Sequence, residues 1–396
     1  MNRFIINQFL LAVCCFSLIA NLSAANNVAK KSDIPNHAVI LQYHHVSNTS
    51  PASTSISIKR FAEHMEYLAD NGYQVKSLAE VVSALQSKAP NKQALPDKTV
   101  VITFDDAYQS IYKNAYPLLK DKGWPFTVFV NSTKTHRNRK IYLGWDRLRE
   151  MAQHGAIIAN HTPDHSHMLR RREVNGSTET TVEWLSRIEV EITDMQAEIV
   201  KNIGEDARFL AYPYGEADVD LRNLVKKLGF VGLGQHSGPI GEYSDFTFLP
   251  RFPMSGIYSG LKPMKTKLRT LPFPITDQAL HQPVVAHGQT QPELAIKLLK
   301  GNYRLAQLAC YASENGRIPA DIQKPAQIPT QQSAEAKSVS EGSASYRLIN
   351  VKSDKPIIIG RSRYNCTAPH TKQGRYYWYS AFWYRMDEGE RWIDES

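Results

Sequence analysis

Thr99-Val100-Val101-Ile102-Thr103-Phe104-Asp105-Asp106 is the stretch that predicts the fold. Its first six residues are all β-branched or aromatic, which predicts a short strand buried on both faces. Two adjacent carboxylates follow at the C-terminal end of that strand. Like charges a few ångströms apart repel, so one pKa rises unless a cation intervenes, and a divalent metal would keep both groups ionised. We therefore expect further metal ligands elsewhere in the chain.

Candidate ligands follow a second apolar segment, Ala156–Asn160, which is also typical of a buried strand. The next residues are His161-Thr162-Pro163-Asp164-His165. Thr162 can cap a helical turn that has Pro163 in its first position, and the two histidines at i and i+4 would then point the same way. Two imidazoles and the carboxylate of Asp106 make three protein ligands and leave a position for water, as in catalytic zinc sites.

Both motifs resemble those of a known family. Thr103-Phe104-Asp105-Asp106 and His161-Thr162-x-x-His165 are similar to the first two motifs of the polysaccharide deacetylases, the NodB-homology or carbohydrate esterase family 4 domain. The resemblance extends from about residue 34 to about residue 264. It includes Tyr43-His44-His45-Val46, Gly144-Trp145-Asp146 and Tyr212-Pro213-Tyr214-Gly215. Either of the first two motifs alone is weak evidence, but both in this order at strand ends form a specific signal.

Strand and helix patterns alternate from about residue 39 to about residue 233, which indicates an α/β fold with parallel strands. About seven strand-helix units are more plausible as a closed barrel than as an open sheet. The resemblance implies a distorted (β/α)7 barrel. The chemistry would then lie at the C-terminal ends of the strands, where both motifs fall.

The pattern changes from about residue 268 onward. Residues 320–345 are rich in Pro, Gln, Ser, Ala and Glu, which is typical of a flexible loop. Tyr346–Val351, Ile357–Ile359 and Tyr376–Tyr384 are typical of antiparallel strands. The last of these is dense in aromatic residues, which could stack on sugar rings or fill a core. The predicted units are a signal peptide at 1–25, a deacetylase domain at 34–265, a connecting segment at 266–289 and a small C-terminal β domain at 290–396.

The first 25 residues have the features of a secretory signal peptide. They carry Arg3, an apolar run at 9–22 and the small residues Ser23-Ala24-Ala25. That run is shorter than the roughly 20 residues of a bilayer span, so we expect no stable membrane span and an exported protein, periplasmic or extracellular. Cleavage would leave Cys310 and Cys366, which an oxidising compartment would join in a disulfide. Two unpaired buried cysteines are the alternative.

The composition limits the classes of partner. The chain has 396 residues, 42% hydrophobic and 21% charged, which is typical of globular proteins and excludes a wholly disordered chain. The formal net charge is +9 at pH 7. No run of Lys or Arg is longer than Arg170-Arg171-Arg172, which favours a basic surface over a nucleic-acid binder. We expect an acetylated glycan and no nucleic acid as partner, and an acidic polymer or envelope surface stays open.

The resemblance also implies roles for the site residues. Asp105 matches the general base, Asp106 matches the metal-binding carboxylate, and His161 and His165 complete the ligand set. This division is physically reasonable because a ligand carboxylate is a poor base, whereas its neighbour can take a proton from activated water. The backbone N–H of Tyr214 matches the group that stabilises the oxyanion of the tetrahedral intermediate.

This sequence departs from the family pattern at two points. The common third motif has an arginine that orients the base, where this chain has Ala211, and Arg251 is a candidate substitute. The last motif supplies a histidine as general acid, and His287 is the one candidate that follows an apolar strand, although its surroundings match poorly. A loop residue of the β domain is the alternative for His287. His44, His45 and Trp145 are candidate contacts of the substrate or of the site.

We therefore predict an exported, metal-dependent de-N-acetylase of acetylated amino sugars in a polymer or oligomer. Two imidazoles and one carboxylate favour zinc as the divalent metal. An O-acetyl esterase of the xylan type is the alternative enzyme. A carbohydrate-binding protein on a decayed deacetylase scaffold is the alternative from another class, favoured by Ala211 and by the unplaced acid.

Overall fold

The computed structural model describes residues 33–89, 92–327 and 345–389. The described residues from Ile34 onward belong to one compact unit. The predicted signal peptide at 1–25 and most of the predicted loop at 320–345 lie outside the described residues. Within the described ranges, no helix combines the length and the apolar character that crossing a bilayer requires. The domain boundaries at 34–265, 266–289 and 290–396 stay predictions.

Strands and helices alternate over the first two thirds of the described chain, as the sequence predicts. The elements are β1 (His37–Tyr43), β2 (His45–Val46), β3 (Ser55–Ile56), α1 (Ile58–Asp70), β4 (Gln74–Val75), α2 (Leu78–Gln86), β5 (Thr99–Phe104), α3 (Tyr116–Asp121), β6 (Phe126–Val130), α4 (Ser132–Arg137), α5 (Trp145–Ala152), β7 (Ala156–Asn160), β8 (Glu173–Val174), β9 (Ser177–Thr178), α6 (Thr181–Ile203), β10 (Phe209–Ala211), α7 (Val219–Lys227), β11 (Val231–Leu233), β12 (Ile240–Gly241), β13 (Phe252–Pro253) and α8 (Leu261–Lys267).

The main sheet has the strand order β11-β10-β7-β6-β5-β1, and these strands are all parallel. At the β1 edge, β13 pairs in parallel and β12 in the antiparallel sense. At the other edge, Leu233 of β11 forms a parallel bridge with Leu249. The segment from Leu249 to Pro253 therefore pairs with both ends of the row, and the sheet is curled. The α/β prediction is confirmed.

Local sequence explains the best-defined elements of this part. All six residues of β5 are buried, because a parallel strand in the middle of the sheet is covered on both faces. Helices α2 and α6 begin at capping boxes, formed by Ser77 with Glu80 and by Thr180 with Glu183. Helix α6 ends at Gly204, whose φ of 88° suits a residue without Cβ.

The remaining described residues form two further sheets. Their strands are β14 (Thr270–Pro272), β15 (Ile275–Thr276), β16 (Val284–Val285), β17 (Glu293–Leu299), β18 (Ala309–Ala312), β19 (Gly316–Ile318), β20 (Ala320–Ile322), β21 (Ala326–Gln327), β22 (Ser345–Lys352), β23 (Gly360–Pro369) and β24 (Tyr376–Arg385). One sheet has the order β14-β24-β23-β18-β19 and the other β15-β17-β22-β20. Two of the three predicted strands are present, but Ile357–Ile359 is not a strand, and β23 begins at Gly360.

The predicted disulfide is confirmed, since Cys310 of β18 and Cys366 of β23 are directly paired across neighbouring antiparallel strands and are bonded. The aromatic strand β24 contributes mainly to the core. Its residues Phe382, Trp383 and Tyr384 are each 3% exposed. Phe382 and Tyr384 belong to the same hydrophobic cluster as residues of β10 and α7, so this strand packs against the α/β part.

Candidate active site

The two acidic residues lie at the C-terminal end of β5, which is between β6 and β1 in the parallel row. The N–H of Asp105 donates to the carbonyl of Tyr43 at 2.9 Å, which continues the pairing with β1. The backbone then turns sharply, because Asp106 and Ala107 are left-handed, with φ values of 68° and 50°. This turn brings the two neighbouring carboxylates into different surroundings.

The two histidines lie at the same edge of the sheet, but the backbone conformation that places them differs from the predicted one. The helical turn predicted for residues 161–165 is wrong, since no helix forms there and Thr162 and His165 are left-handed, with φ values of 60° and 55°. Side chains support this turn instead. The N–H of Thr162 donates to Asn160 Oδ1 at 3.0 Å, and the N–H of His165 donates to Thr162 Oγ1 at 3.2 Å. The rings of His161 and His165 still lie 4.7 Å apart.

Asp106, His161 and His165 form a cluster whose ligand atoms all lie within 4.8 Å of one another. Nε2 of His161 is 3.9 Å and Nε2 of His165 is 3.5 Å from Asp106 Oδ1. Nδ1 of His161 donates to the carbonyl of Ala211 at 2.6 Å, so this contact leaves a lone pair on Nε2. That Nε2 is buried without a hydrogen-bond partner. A divalent metal fits this orphaned nitrogen and this donor set.

The charge of Asp106 is stabilised by its neighbours. Burial alone would raise the pKa of its carboxyl, but His165, His161 and Lys134 outweigh burial and hold the pKa well below its usual value. Nζ of Lys134 is 3.3 Å from Asp106 Oδ1. The sequence analysis missed Lys134. It lies on α4, directly after β6, and its place at the same edge of the sheet is the one signal that could have indicated it.

Asp105 is fully buried and meets a different set of partners. Nη1 and Nη2 of Arg251 donate to its two carboxylate oxygens at 2.7 and 2.8 Å, and Nε2 of Gln42 donates to Oδ2 at 2.7 Å. Burial would raise the pKa of Asp105, but Arg251, then His161 and His44, lower it to about 2. Asp105 is therefore ionised at neutral pH. Gln42 is a second residue that the sequence analysis missed.

The family-wide model of polysaccharide deacetylases matches residues 92–233. The Bacillus subtilis protein YxkH, which is named as a polysaccharide deacetylase, is 32% identical to this chain over 232 residues, which are 58% of this chain and 76% of YxkH. This chain belongs to the polysaccharide deacetylase family. Its class is therefore that of hydrolases that act on carbon–nitrogen bonds other than peptide bonds.

Two further comparisons extend the family assignment. The poly-β-1,6-N-acetyl-D-glucosamine N-deacetylase of Escherichia coli is 27% identical over 248 residues, and the match spans 54% of this chain but only 36% of that protein. The solved structure of a de-N-acetylase from Aggregatibacter actinomycetemcomitans superposes with a TM-score of 0.53 and 23% identity, over 58% of this deacetylase and 99% of that chain. The likeness to the solved structure shows a shared fold.

This chain has Ala211 where the deacetylase motif has an arginine, and the guanidinium of Arg251 contacts the Asp105 carboxylate instead. Arg251 lies in the segment that pairs with both ends of the parallel row, and its side chain is fully buried. Its Nε donates to the carbonyl of Gly234 at 2.9 Å, which fixes the plane of the guanidinium. The contact that the sequence analysis offered as a substitute is thus present.

Among the other candidate residues of this deacetylase, His44 lies closest to the carboxylate pair. Its Nε2 is 3.9 Å from Asp105 Oδ2, and its side chain is 16% exposed. His45 is turned toward the segment that follows Asp106, since its ring stacks on Tyr108 at 3.5 Å and its Nδ1 is 3.3 Å from Ser110 Oγ. Trp145 begins α5 and is buried in the hydrophobic core.

His287 lies in the C-terminal sheets, beyond the end of β16. Its Nδ1 is 3.4 Å from the carbonyl of Met386, and its own carbonyl accepts from Nε of Arg385 at 2.8 Å. These contacts do not bring His287 into the Asp–His cluster of the deacetylase site.

Tyr214 lies beside the cluster. Its ring meets the ring of His165 edge to face at 4.7 Å and stacks on the ring of His167 at 3.7 Å with an angle of 4°. The backbone of Tyr214 is left-handed, and the side chain is 37% exposed. The sequence analysis missed His167, although its spacing of two residues from a predicted ligand is a signal that could have indicated it.

Proposed function

We propose that this chain is an exported, metal-dependent de-N-acetylase of an N-acetylglucosamine polymer or oligomer. The observation that carries the proposal is the ionised, fully buried Asp105 next to a cluster of one carboxylate and two imidazoles. The name of the Escherichia coli relative, a poly-β-1,6-N-acetyl-D-glucosamine N-deacetylase, supports N-acetylglucosamine as the substrate class. The Cys310–Cys366 disulfide supports an oxidising compartment, together with the predicted signal peptide at 1–25.

Each residue of the site has a role in this proposal. Asp106, His161 and His165 would hold a divalent metal, with zinc the best fit, which when bound supplies Lewis acidity to water and to the acetamide carbonyl. Asp105 takes the proton from the attacking water. The N–H of Tyr214 donates to the oxyanion that forms on the acetamide oxygen.

Arg251 and Gln42 keep Asp105 ionised and aimed. A bidentate guanidinium and an amide fix both carboxylate oxygens, so the base is oriented before substrate arrives. This arrangement weakens one of the two arguments for a decayed binding protein, the missing arginine at Ala211.

The leaving amine needs a proton, and His44 is the better-placed donor. Its Nε2 is 3.9 Å from Asp105 Oδ2 and its side chain is partly exposed, so substrate can reach it. His287, the donor suggested by sequence, makes its contacts with Met386 and Arg385 instead. A His44→Gln variant should therefore lose turnover, whereas His287→Gln should retain it.

The finer architecture is also part of the proposal. The segment Leu249–Pro253 would act as the seventh strand of a distorted (β/α)7 barrel, because it pairs with both β11 and β1. The deacetylase domain would span 34–265, a connecting segment 266–289 and a small β domain 290–396.

Acetate release tests the proposed function. The protein is assayed on poly-N-acetylglucosamine, chitin oligomers, peptidoglycan and acetylxylan, with and without a chelator. We expect release from N-acetylglucosamine polymers, loss on chelation and recovery with added zinc. Release from acetylxylan alone would favour the O-acetyl esterase. A protein that binds these glycans and releases no acetate would favour the binding-protein alternative.

A further inference from the structure

The turn that carries Tyr214 is held by two side chains from the C-terminal sheet. Nη2 of Arg361, on β23, donates to the carbonyl of Tyr214 at 2.5 Å and lies 3.6 Å from Glu216 Oε1. The hydroxyl of Tyr384, on β24, donates to the carbonyl of Gly215 at 3.0 Å. Two consecutive carbonyls of the turn are therefore bonded to side chains that lie 147 and 169 residues further along the chain.

The turn needs such support because its backbone is unfavourable. Tyr214 has φ 57° and ψ 0°, a left-handed conformation that is sterically unfavourable for a residue with a Cβ. Gly215 follows with φ 72°, and a Cβ there would lie 2.6 Å from the side chain of Gln235. A strained backbone persists where the surroundings determine it. The bonds from Arg361 and Tyr384 are such surroundings.

The ring of Tyr214 is held by the same network. It stacks on His167, whose Nδ1 is 2.9 Å from Glu216 Oε2. Because Glu216 also faces Arg361, these four residues form a closed ring of contacts. With both the ring and the carbonyl of Tyr214 held, the direction of its Cα–N bond is fixed.

Arg361 itself is well placed for this task. Its guanidinium lies over the rings of Phe382 and Tyr384, at 5.2 and 5.6 Å from their centroids. Arg361 and Tyr384 are also directly paired residues of β23 and β24. Both lie outside residues 92–233, which the family model matches, so the family motifs give no indication of them.

We propose that Arg361 and Tyr384 are positioning residues of the deacetylase site, which hold the Tyr214–Gly215 turn so that the N–H of Tyr214 faces the reacting carbonyl. The inference rests on the proposed function, because it assigns Tyr214 the oxyanion. In this proposal the C-terminal sheet contributes two residues that position the active site.

The kinetic test compares two arginines of one strand. Arg361→Ala should lower kcat by about 10- to 100-fold, since a misplaced oxyanion donor is costly, with KM within about twofold and zinc content unchanged. Arg361→Lys should recover part of the loss because it keeps one donor and the charge. Tyr384→Phe should lower kcat less, by about tenfold.

Arg363→Ala is the matched control. Arg363 lies two residues along β23 on the same face, but its guanidinium contacts the hydroxyl of Tyr258 at 3.1 Å instead of the turn. Its removal should leave kcat unchanged. Equal losses in Arg361→Ala and Arg363→Ala would indicate general damage to β23 and would overturn the proposal.

Hydrogen exchange gives a readout that does not depend on activity. Amides of a peptide covering residues 212–217 should exchange faster in Arg361→Ala than in wild type, and at the wild-type rate in Arg363→Ala. Unchanged exchange, or unchanged kcat, in Arg361→Ala would overturn the inference. If wild type releases no acetate from any glycan, the proposed function fails and the exchange rates alone decide whether Arg361 holds the turn.

Discussion

The surroundings of Asp105 and Asp106 differ in the groups that balance each charge. Asp105 meets a guanidinium and the NH2 group of an amide, which donate hydrogen bonds and offer no lone pair to a metal. Asp106 meets two imidazoles, one of which has an orphaned ring nitrogen. Both carboxyls have lowered pKa values, but by different means. Two adjacent residues can therefore serve as base and ligand because a left-handed turn separates their partners.

The largest expected effect is a difference in metal content between variants of Asp105 and Asp106. Asp106→Asn should lose both zinc and activity, because an amide oxygen is a weaker, uncharged ligand. Asp105→Asn should keep zinc and lose turnover by about 10²- to 10⁴-fold, the effect of removing a general base. Zinc content and acetate release are measured on both variants. Near-native turnover of Asp105→Asn would mean that the base is elsewhere.

Removing the Arg251 guanidinium should destabilise the protein through Asp105 and not through Asp106. Arg251→Met leaves a buried charge unpaired, so the free energy of unfolding should fall by about 3–5 kcal/mol. Adding Asp105→Asn should restore much of that loss, since the neutral amide needs no cation. Urea unfolding of the two single variants and the double variant gives the coupling. Additive losses would show that Arg251 stabilises the fold by packing and not through Asp105.

Low pH should also reduce the contribution of Asp105 to the stability of the fold. The pKa of Asp105 is lowered from 3.8 to about 2 in the fold, so the unfolded chain binds more protons between these values. Its contribution to stability, about 2 kcal/mol, is present above pH 4 and is lost as the pH falls toward 2. Unfolding of wild type and of Asp105→Asn is compared across this range, and the acid sensitivity should be smaller in the variant. Equal slopes would contradict the shift.

The smallest effect concerns the cation beside Asp106. Lys134 competes with a metal for the same carboxylate oxygen, so Lys134→Met should lower the zinc Kd by about threefold to tenfold. Lys140→Met, an exposed lysine in the loop that follows, is the control and should leave the Kd unchanged. A weaker zinc affinity in Lys134→Met would mean that this lysine orients Asp106 and does not compete.

The sequence was sufficient to predict which side chains meet at the C-terminal ends of the strands. Buried apolar runs predicted β5 and β7, which both pair with β6. The C-terminal ends of parallel strands meet at one edge of a sheet, so Asp106 and the histidines were expected together. The left-handed backbone at Thr162 was not predictable, because a β-branched residue disfavours that conformation, and here Asn160 supports it from the side.

Sheet order accounts for the remaining differences. The sequence does not say which strand lies beside β5. It therefore could not decide whether His44, after β1, or His287, after β16, lies near the site. In the structure β1 is the neighbour of β5. Gln42 has no spacing signal because it is a lone amide in an apolar strand. Arg361 acts on a turn 147 residues earlier, a distance that no local pattern spans.

The contacts of Arg375 bear on the order in which the chain is made. Its Nη2 donates to Nε2 of His37, 338 residues earlier, and its Nη1 donates to Asp97, 278 residues earlier. The ribosome synthesises β1 long before it reaches residue 375. The surroundings of β1 are therefore complete only after Arg375, directly before β24, has been made. We expect a nascent chain that stops before β23 to leave His37, at the start of β1, without this guanidinium, even though it already carries Asp105, Asp106, His161 and His165.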